Sequence, residues 1–323
     1  MIYNTVLVTG GSGYIGSHFV WRLSGTEFFP IVFDVKSPSK TILKHAIYYR
    51  GDVRNYHALL DAFSRYKPKC VVHLAAITAN TTDKHDEKRL WEVNVAGSEN
   101  VLRAAFQIQR HNIVFTSSAA VYGEASPGIA ETHALHPKNT YGITKKKIEE
   151  SIMRHVMGTH GCAVVLRLFN VAGNNPQVNL SYKTEARETL ISNALRVAEG
   201  KKKTLMIYGQ HFPTLDGTAI RDYVHVDDVV EAIYKATNYV LTKKDCVTVN
   251  IGSGIGATNL EVIRTVEQVI GHSIPIRFGR PRAHEIICSV ANNRRALQVL
   301  GWQADRLDRR TIIKSTCNYY GLI

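Results

Sequence analysis

Tyr141 and Lys145 are four residues apart in a stretch with helical patterning, so both side chains project from one face. A tyrosine with an unperturbed pKa of about 10 is a poor base at neutral pH, but an ammonium within about 4–6 Å lowers such a pKa by roughly 1–3 units. The pair can therefore take a proton from a hydroxyl group. Ser118 follows the apolar run Ile113 to Ser117 and is expected at the carboxyl edge of a sheet, where α/β folds bind ligands, so its hydroxyl is placed to relay or orient that proton. A Tyr-x-x-x-Lys alone is common on amphipathic helices; its meaning depends on what surrounds it.

The stretch Val6 to Gly16 supplies that context, with an apolar strand running into a glycine turn and then a helix starting near Ile15. Glycines 11, 13 and 16 satisfy G-x-G-x-x-G, and Gly10, Gly13 and Gly16 satisfy a second, three-residue spacing used by dinucleotide folds. Glycine turns the chain tightly and lets backbone approach a pyrophosphate, while the helix opening at Tyr14 and Ile15 aims free N–H groups at it. A second apolar run, Ile31 to Phe33, ends at Asp34, about 20 residues further on, where a carboxylate binds adenosine ribose hydroxyls. The residues after Asp34 are Val35 and Lys36 rather than an arginine, which predicts NAD over NADP. Beside a nicotinamide ring, Tyr141 could then take the hydroxyl proton as the adjacent carbon gives up hydride.

The elements that must position these residues alternate. Strand-like Ile47 to Tyr49 precedes a helix over 56–66, strand-like Cys70 to Leu74 precedes a helix over about 84–109, and Ile113 to Ser117 precedes a helix from about Thr140 and a strand over 163–169. This rhythm, with strands apolar on both faces, predicts a Rossmann-type, doubly wound parallel sheet. Beyond Phe169 the rhythm breaks in the Asn- and Gly-rich segment 171–184, so a smaller C-terminal α/β substrate domain is expected. The division is residues 1–170 for cofactor binding, with about 222–252 rejoining the large sheet as helix 226–241 and strand 247–251, and residues 171–221 and 253–323 for substrate. On the helix after Tyr141, Ile148, Ile152 and Val156 form one stripe with Met153 and Met157 beside it, more than a sheet needs; a homodimer formed with the helix 90–106 is expected.

Composition narrows the class. The chain has 323 residues, 45% of them hydrophobic, enough for one large core or two modest ones. No apolar run reaches bilayer length, and residues 1–4 lead straight into the first strand without a signal peptide, so a cytoplasmic protein without membrane association is expected. Five cysteines (70, 162, 246, 288, 317) lack a C-x-x-C and read as packed, reduced thiols; no metal site is expected. The formal charge of +13 is dispersed in short clusters at 145–147, 201–203 and 309–310, which reads as solvated surface rather than a nucleic-acid footprint, although the field suits an anionic nucleotide substrate.

These residues resemble the extended short-chain dehydrogenase/reductase family, and within it the branch of 4-epimerases acting on UDP-hexoses. The resemblance covers nearly the whole chain: Thr9 to His18, Phe33-Asp34, Gly51 to Arg54, His73 to Ala76, Asn94-Val95, Ser117 to Gly123 and Tyr141 to Lys145 in the cofactor half; Arg167 to Asn170, Tyr208-Gly209, Pro213 to Thr218 and Arg221 to Val226 in the nucleotide-sugar half. It implies that Asp52 and Val53 meet the adenine, that Leu74, Ala75, Ala76, Asn94, Tyr141, Lys145 and Phe169 border the cofactor, and that Ser118, Tyr141, Asn170, Thr189 and Leu190 border a UDP-sugar. It further implies that Arg221 and Arg282 grip the diphosphate and Glu285 the uridine ribose; the planar forks of arginine suit phosphate oxygens, while surface ion pairs with Asp222 and Glu285 are the structural alternative. His225 is expected to be a packed strand residue.

The implied activity is NAD-dependent epimerisation at C4 through a transient 4-keto sugar. Three positions depart from the branch: Thr78 stands where a lysine is common, Val35 where asparagine is usual, and Ser289 at a wall of the sugar pocket, where a small residue leaves room for an N-acetyl group. Ala119-Ala120 after Ser118 argues against a 4,6-dehydratase, which needs an Asp-Glu pair there. Epimerisation of a UDP-pentose or UDP-uronate, or a non-catalytic NAD-binding role with an anionic partner, are the alternatives.

Overall fold

The computed structural model describes residues 4–78, 84–124, 127–157, 159, 161–178, 189–283 and 285–323. Residues 1–3, Ala79 and positions 179–184 of the Asn- and Gly-rich segment lie outside them.

Thirteen strands and eleven α-helices alternate along the described chain. The chain opens with β1 (Asn4–Thr9), α1 (Tyr14–Arg22), β2 (Phe28–Asp34), α2 (Lys40–Leu43), β3 (Ile47–Arg50), α3 (Tyr56–Tyr66) and β4 (Cys70–His73). It continues with α4 (Lys84–Leu90), a π-helical turn (Trp91–Ala96), α5 (Gly97–Gln107), β5 (Ile113–Ser118), α6 (Thr140–Val156) and β6 (Ala163–Leu168). Then follow β7 (Asn170–Ala172), α7 (Leu190–Ala198), β8 (Leu205–Tyr208), β9 (Ile220–His225), α8 (Val226–Thr242) and β10 (Val247–Ile251). The chain closes with β11 (Gly256–Thr258), α9 (Asn259–Ile270), β12 (Ile276–Gly279), β13 (Cys288–Ser289), α10 (Arg294–Leu300) and α11 (Arg309–Tyr320).

Seven strands form one parallel sheet in the order β10-β6-β5-β4-β1-β2-β3, the doubly wound topology expected from the strand and helix rhythm. Its central strands are buried on both faces: Val6, Val8, Val72, Val114, Val164 and Leu166 pack with α1 and α8 on one side, and Leu7, Ile31, Phe33 and Val71 pack with α3 and α5 on the other. The chain reverses direction across the sheet between β1 and β4, and the carboxyl ends at that switch point carry Gly10 and Leu74.

A second apolar core gathers Ile191, Leu195, Ile207, Val262, Val266 and Ile313 from α7, β8, α9 and α11. It covers a small sheet in which β9 is flanked by β11 and β13 and also pairs with β7, while β8 and β12 form a parallel pair. Because β7 begins two residues after β6, Asn170 passes directly from the large sheet to the small one.

The helical stretch 84–107 is continuous but not uniformly α-helical. Its π-helical turn carries Asn94, whose amide binds the backbone of Ile77 at both ends, Oδ1 accepting from the N–H at 2.8 Å and Nδ2 donating to the carbonyl at 3.0 Å. Gly97 begins α5 where a Cβ would lie 2.6 Å from Val53. Both contacts pull that face of the helix towards the sheet edge.

Candidate active site

The glycine turn is built as its spacing requires. Gly10 has φ of 73°, and a Cβ there would sit 2.7 Å from the backbone nitrogen of Ala75. At Gly16 a Cβ would sit 2.2 Å from the carbonyl oxygen of Gly10, so the first turn of α1 rests directly on the loop. No side chain caps α1, whose first residues are Tyr14 and Ile15. Leu74 and Ala75 are drawn over the turn by Thr9, whose carbonyl accepts from Leu74 N at 3.0 Å and whose hydroxyl accepts from Ala75 N at 3.4 Å. Ala76 continues this half-buried edge, and Thr78 is exposed beyond it.

Asp34 closes β2, and its carboxylate accepts from the N–H groups of Ser12 and Lys36, both at 3.0 Å. Burial raises its pKa above the ordinary value while these bonds oppose the rise. Val35 points away and is 51% exposed. Asp52 is held by Arg54, with Nη2 to Oδ2 at 2.7 Å, and this hydrogen bond keeps its carboxyl below the usual range. Val53 is buried beneath Gly97.

Ser118 ends β5, and its hydroxyl accepts from Ala120 N at 3.2 Å, capping a short 3-10 turn. The first turn of α6 lies against that turn, since a Cβ on Gly142 would be 2.4 Å from the carbonyl of Ala120. Tyr141 is therefore delivered beside the segment that begins with Ser118. Lys145 is 4% exposed; its Nζ donates to the carbonyl of Thr116 at 2.7 Å and lies 5.8 Å from the centre of the Tyr141 ring. Burial lowers its pKa to about 7, with the charge of Glu149 opposing the fall. The cluster 145–147 is thus not wholly solvated surface: Lys145 points into the sheet edge. Thr144 links the helix to Asn94, whose Nδ2 lies 3.3 Å from its hydroxyl. Asn94 holds the Ile77 loop against α6.

On the facing side, Asn170 opens β7 and hydrogen-bonds Tyr223 of β9, whose hydroxyl burial pushes up to about 12. Phe169 is buried among Val121, Tyr122, Ile129 and Ala291. Thr189 caps α7 through a reciprocal box with Ser192, so its side chain already serves the helix, and Leu190 is the first helical residue. Arg221 and Glu285 form an ion pair at 2.7 Å, and Ser289 pairs with Arg221 in register between β13 and β9. The alternative partner Asp222 faces the other way: fully buried, it accepts from Ser253 N and Oγ, Gly254 N and Ala291 N. His225 is buried and packed, accepting from Asp227 N at 3.1 Å.

The guanidinium of Arg282 lies 4.0 Å over the ring of Tyr208, itself 37% exposed. Arg282 was assigned from sequence but Tyr208 was not, although Tyr208-Gly209 was singled out as a segment; an exposed aromatic ending a short strand before a glycine was the available signal. Glu149 was also missed, and the spacing 141, 145, 149 would have found it on the same helical face.

A family model, the NAD dependent epimerase/dehydratase family, matches residues 6–252. The chain belongs to this family. A UDP-glucose 4-epimerase of Lacticaseibacillus casei is 35% identical over 320 residues, 98% of this chain and 96% of that protein. Among solved structures, the UDP-glucose 4-epimerase of Brucella ovis in complex with NAD superposes with a TM-score of 0.92 at 30% identity, covering 98% of both chains. That of Bifidobacterium longum, in complex with NAD+ and UDP, gives 0.91 at 27% identity over 98% of both.

Proposed function

We propose that the chain is an NAD-dependent 4-epimerase of UDP-hexoses, interconverting UDP-glucose and UDP-galactose. The observation that carries the reading is the packing of the Tyr141 turn on the segment begun by Ser118, with Lys145 buried against the same strand, in a chain resembling such epimerases over 98% of its length. The residues fit a dinucleotide: Gly10 and Gly16 leave no room for side chains where the phosphates approach, α1 is uncapped, and Asp34 ends the neighbouring strand. NAD, when bound, accepts hydride from C4 and returns it.

The rest is the work of this chain. Tyr141, made more acidic by the Lys145 ammonium, takes the C4 hydroxyl proton directly or through Ser118. Arg221 and Arg282 hold the diphosphate, Glu285 the ribose, and the open face of Tyr208 stacks the uracil. With that end fixed, the 4-keto sugar turns over to present the opposite face of C4 for the return of hydride, and Tyr141 gives the proton back to the C4 oxygen. Ser289, small and beside Arg221, supports acceptance of the N-acetylhexosamine forms as well.

We infer a homodimer through α4–α6, where Trp91, Phe106, Ile143 and Met157 are exposed, Met157 at 76%. A reducing, cytoplasmic setting suits five free cysteines, four of them buried. Among the described residues no helix is long and apolar enough to cross a membrane.

The test is incubation of the purified protein with equal UDP-glucose and UDP-N-acetylglucosamine, without added NAD, following the anomeric protons. Galacto products are expected. Silence that persists after NAD is added would overturn the epimerase reading.

A further inference from the structure

Glu149 lies one turn beyond Lys145 on α6, and both are buried. Its carboxylate accepts from the hydroxyl of Ser117 and from Arg167 of β6, with Nε at 3.1 Å and Nη2 at 2.7 Å. Ser117 and Arg167 are themselves paired between β5 and β6. Arg167 continues through Nη1 to the hydroxyl of Tyr122 at 2.9 Å, and Tyr122 donates to Oδ1 of Asn250 at 2.7 Å. Three successive residues of β5 are thereby used in order: the Thr116 carbonyl takes Lys145, the Ser117 hydroxyl takes Glu149, and Ser118 stands at the strand tip.

The charges around Lys145 make Glu149 decisive. Tyr141 and Glu149 face it from its own helix, the ring of Phe115 from β5 and neutral His73 from β4, Arg167 of β6 stands behind Glu149 as its ion-pair partner, and the 91–96 turn contributes uncharged Asn94 through Thr144. Among these groups Glu149 is the one carboxylate. Arg167 keeps its proton in any protein environment, so if the Glu149 charge is removed, Lys145 is the cation that can discharge.

We propose that Glu149 is a positioning residue of the proton-transfer group, holding Lys145 as a cation and, through Ser117 and Arg167, holding Ser118 in register with Tyr141. Its kinetic consequence rests on the epimerase reading; its electrostatic consequence does not. A neutral Lys145 leaves the Tyr141 phenolate without its counter-ion, so turnover at neutral pH falls while binding of UDP, held by Arg221, Arg282 and Glu285, persists.

The experiment labels lysines with 13C at Cε and titrates the purified protein by NMR, identifying Lys145 as the signal missing from Lys145→Met. Glu149→Gln is expected to lower the Lys145 midpoint by about one unit or more, and Glu149→Asp, which keeps the charge, by less than half of that. The alkaline limb of the kcat profile for UDP-glucose should move the same way in Glu149→Gln, with KM within about threefold. An unchanged midpoint with only a lowered Tm would overturn the proposal and leave Glu149 as a packing residue. Should Glu149→Gln not fold, Glu149→Ala, which also removes the charge, carries the test: a Lys145 midpoint identical to the parent overturns the proposal. Absence of epimerisation by the parent protein counts against the activity alone, since the NMR midpoint still judges Glu149.

Discussion

The hydroxyl of Tyr14 donates to the carbonyl of Gly173 at 2.5 Å, joining the first turn of α1 to the chain just beyond β7. The two residues lie 159 positions apart, one in the first turn after the glycine loop and the other just past the crossing from the large sheet to the small one. His18 reinforces the seam, donating from Nδ1 to Tyr14 O at 2.8 Å and accepting from Asn175 N at Nε2, 3.2 Å. Tyr14→Phe should cost about 1 kcal/mol and lower Tm by roughly 2 °C. NAD retained through gel filtration should fall, while kcat at saturating NAD stays within about threefold of the parent.

Tyr141→Phe removes the proposed base and little else. Turnover of UDP-glucose should fall by about 10² to 10⁴, with UDP affinity by calorimetry within about threefold. Retained turnover would move the base to another residue.

His73 gives the protein a pH-dependent stability with a defined sign. It is fully enclosed, its Nδ1 2.6 Å from the Thr9 hydroxyl and its Nε2 2.7 Å from that of Ser98. Because Ser98 donates onward to Asn94 O, it accepts from Nε2–H, and Nδ1 is left to accept from Thr9. Burial, then repulsion by Lys145, lowers its pKa to about 3 from 6.5. Between those values the unfolded chain binds a proton the folded one refuses, so stability falls as pH drops below 6.5, by about 1.4 kcal/mol per unit for this group. Urea unfolding at pH 7 and pH 5 should show a smaller loss in His73→Gln than in the parent.

Arg221→Ala should raise KM for UDP-glucose by roughly 10- to 100-fold, because a charge-assisted contact to phosphate is lost and Glu285 is left as an unpaired charge. The change in kcat should be smaller. A KM unaltered in this variant would mean that the ion pair at 2.7 Å is structural only.

Much of the sheet was legible because its strands, Val6 to Thr9 before a helix or Ala163 to Leu168 after one, are short apolar runs buried on both faces beside a helical pattern. Even the return of α8 and β10 to the large sheet could be read from their apolar runs. The π-helical turn could not, since it follows from Asn94 gripping Ile77, a contact between separate elements. Of the two ion pairs set against the diphosphate reading of Arg221, the one with Glu285 forms, whereas the one with Asp222 was excluded by the strand itself. Neighbours on a strand face opposite sides, so Asp222 could not share its partners, and it turns instead to three backbone N–H groups and a hydroxyl. The Tyr208 and Arg282 pair depends on the end of β8 meeting the segment after β12, which local pattern does not encode.

The wide turn at Trp91–Ala96 also sets a phase. An α-helix advances about 100° per residue, and a π turn holds more residues than an α turn, so α4 and α5 do not share one angular frame. The first half presents Glu87 to Thr140 at 2.9 Å, and the second presents Val101, Ala104 and Ala105 to the sheet. Tightening this turn by one residue would rotate one half against the other by about 100°, so the length of this segment is constrained as strictly as the identity of Asn94.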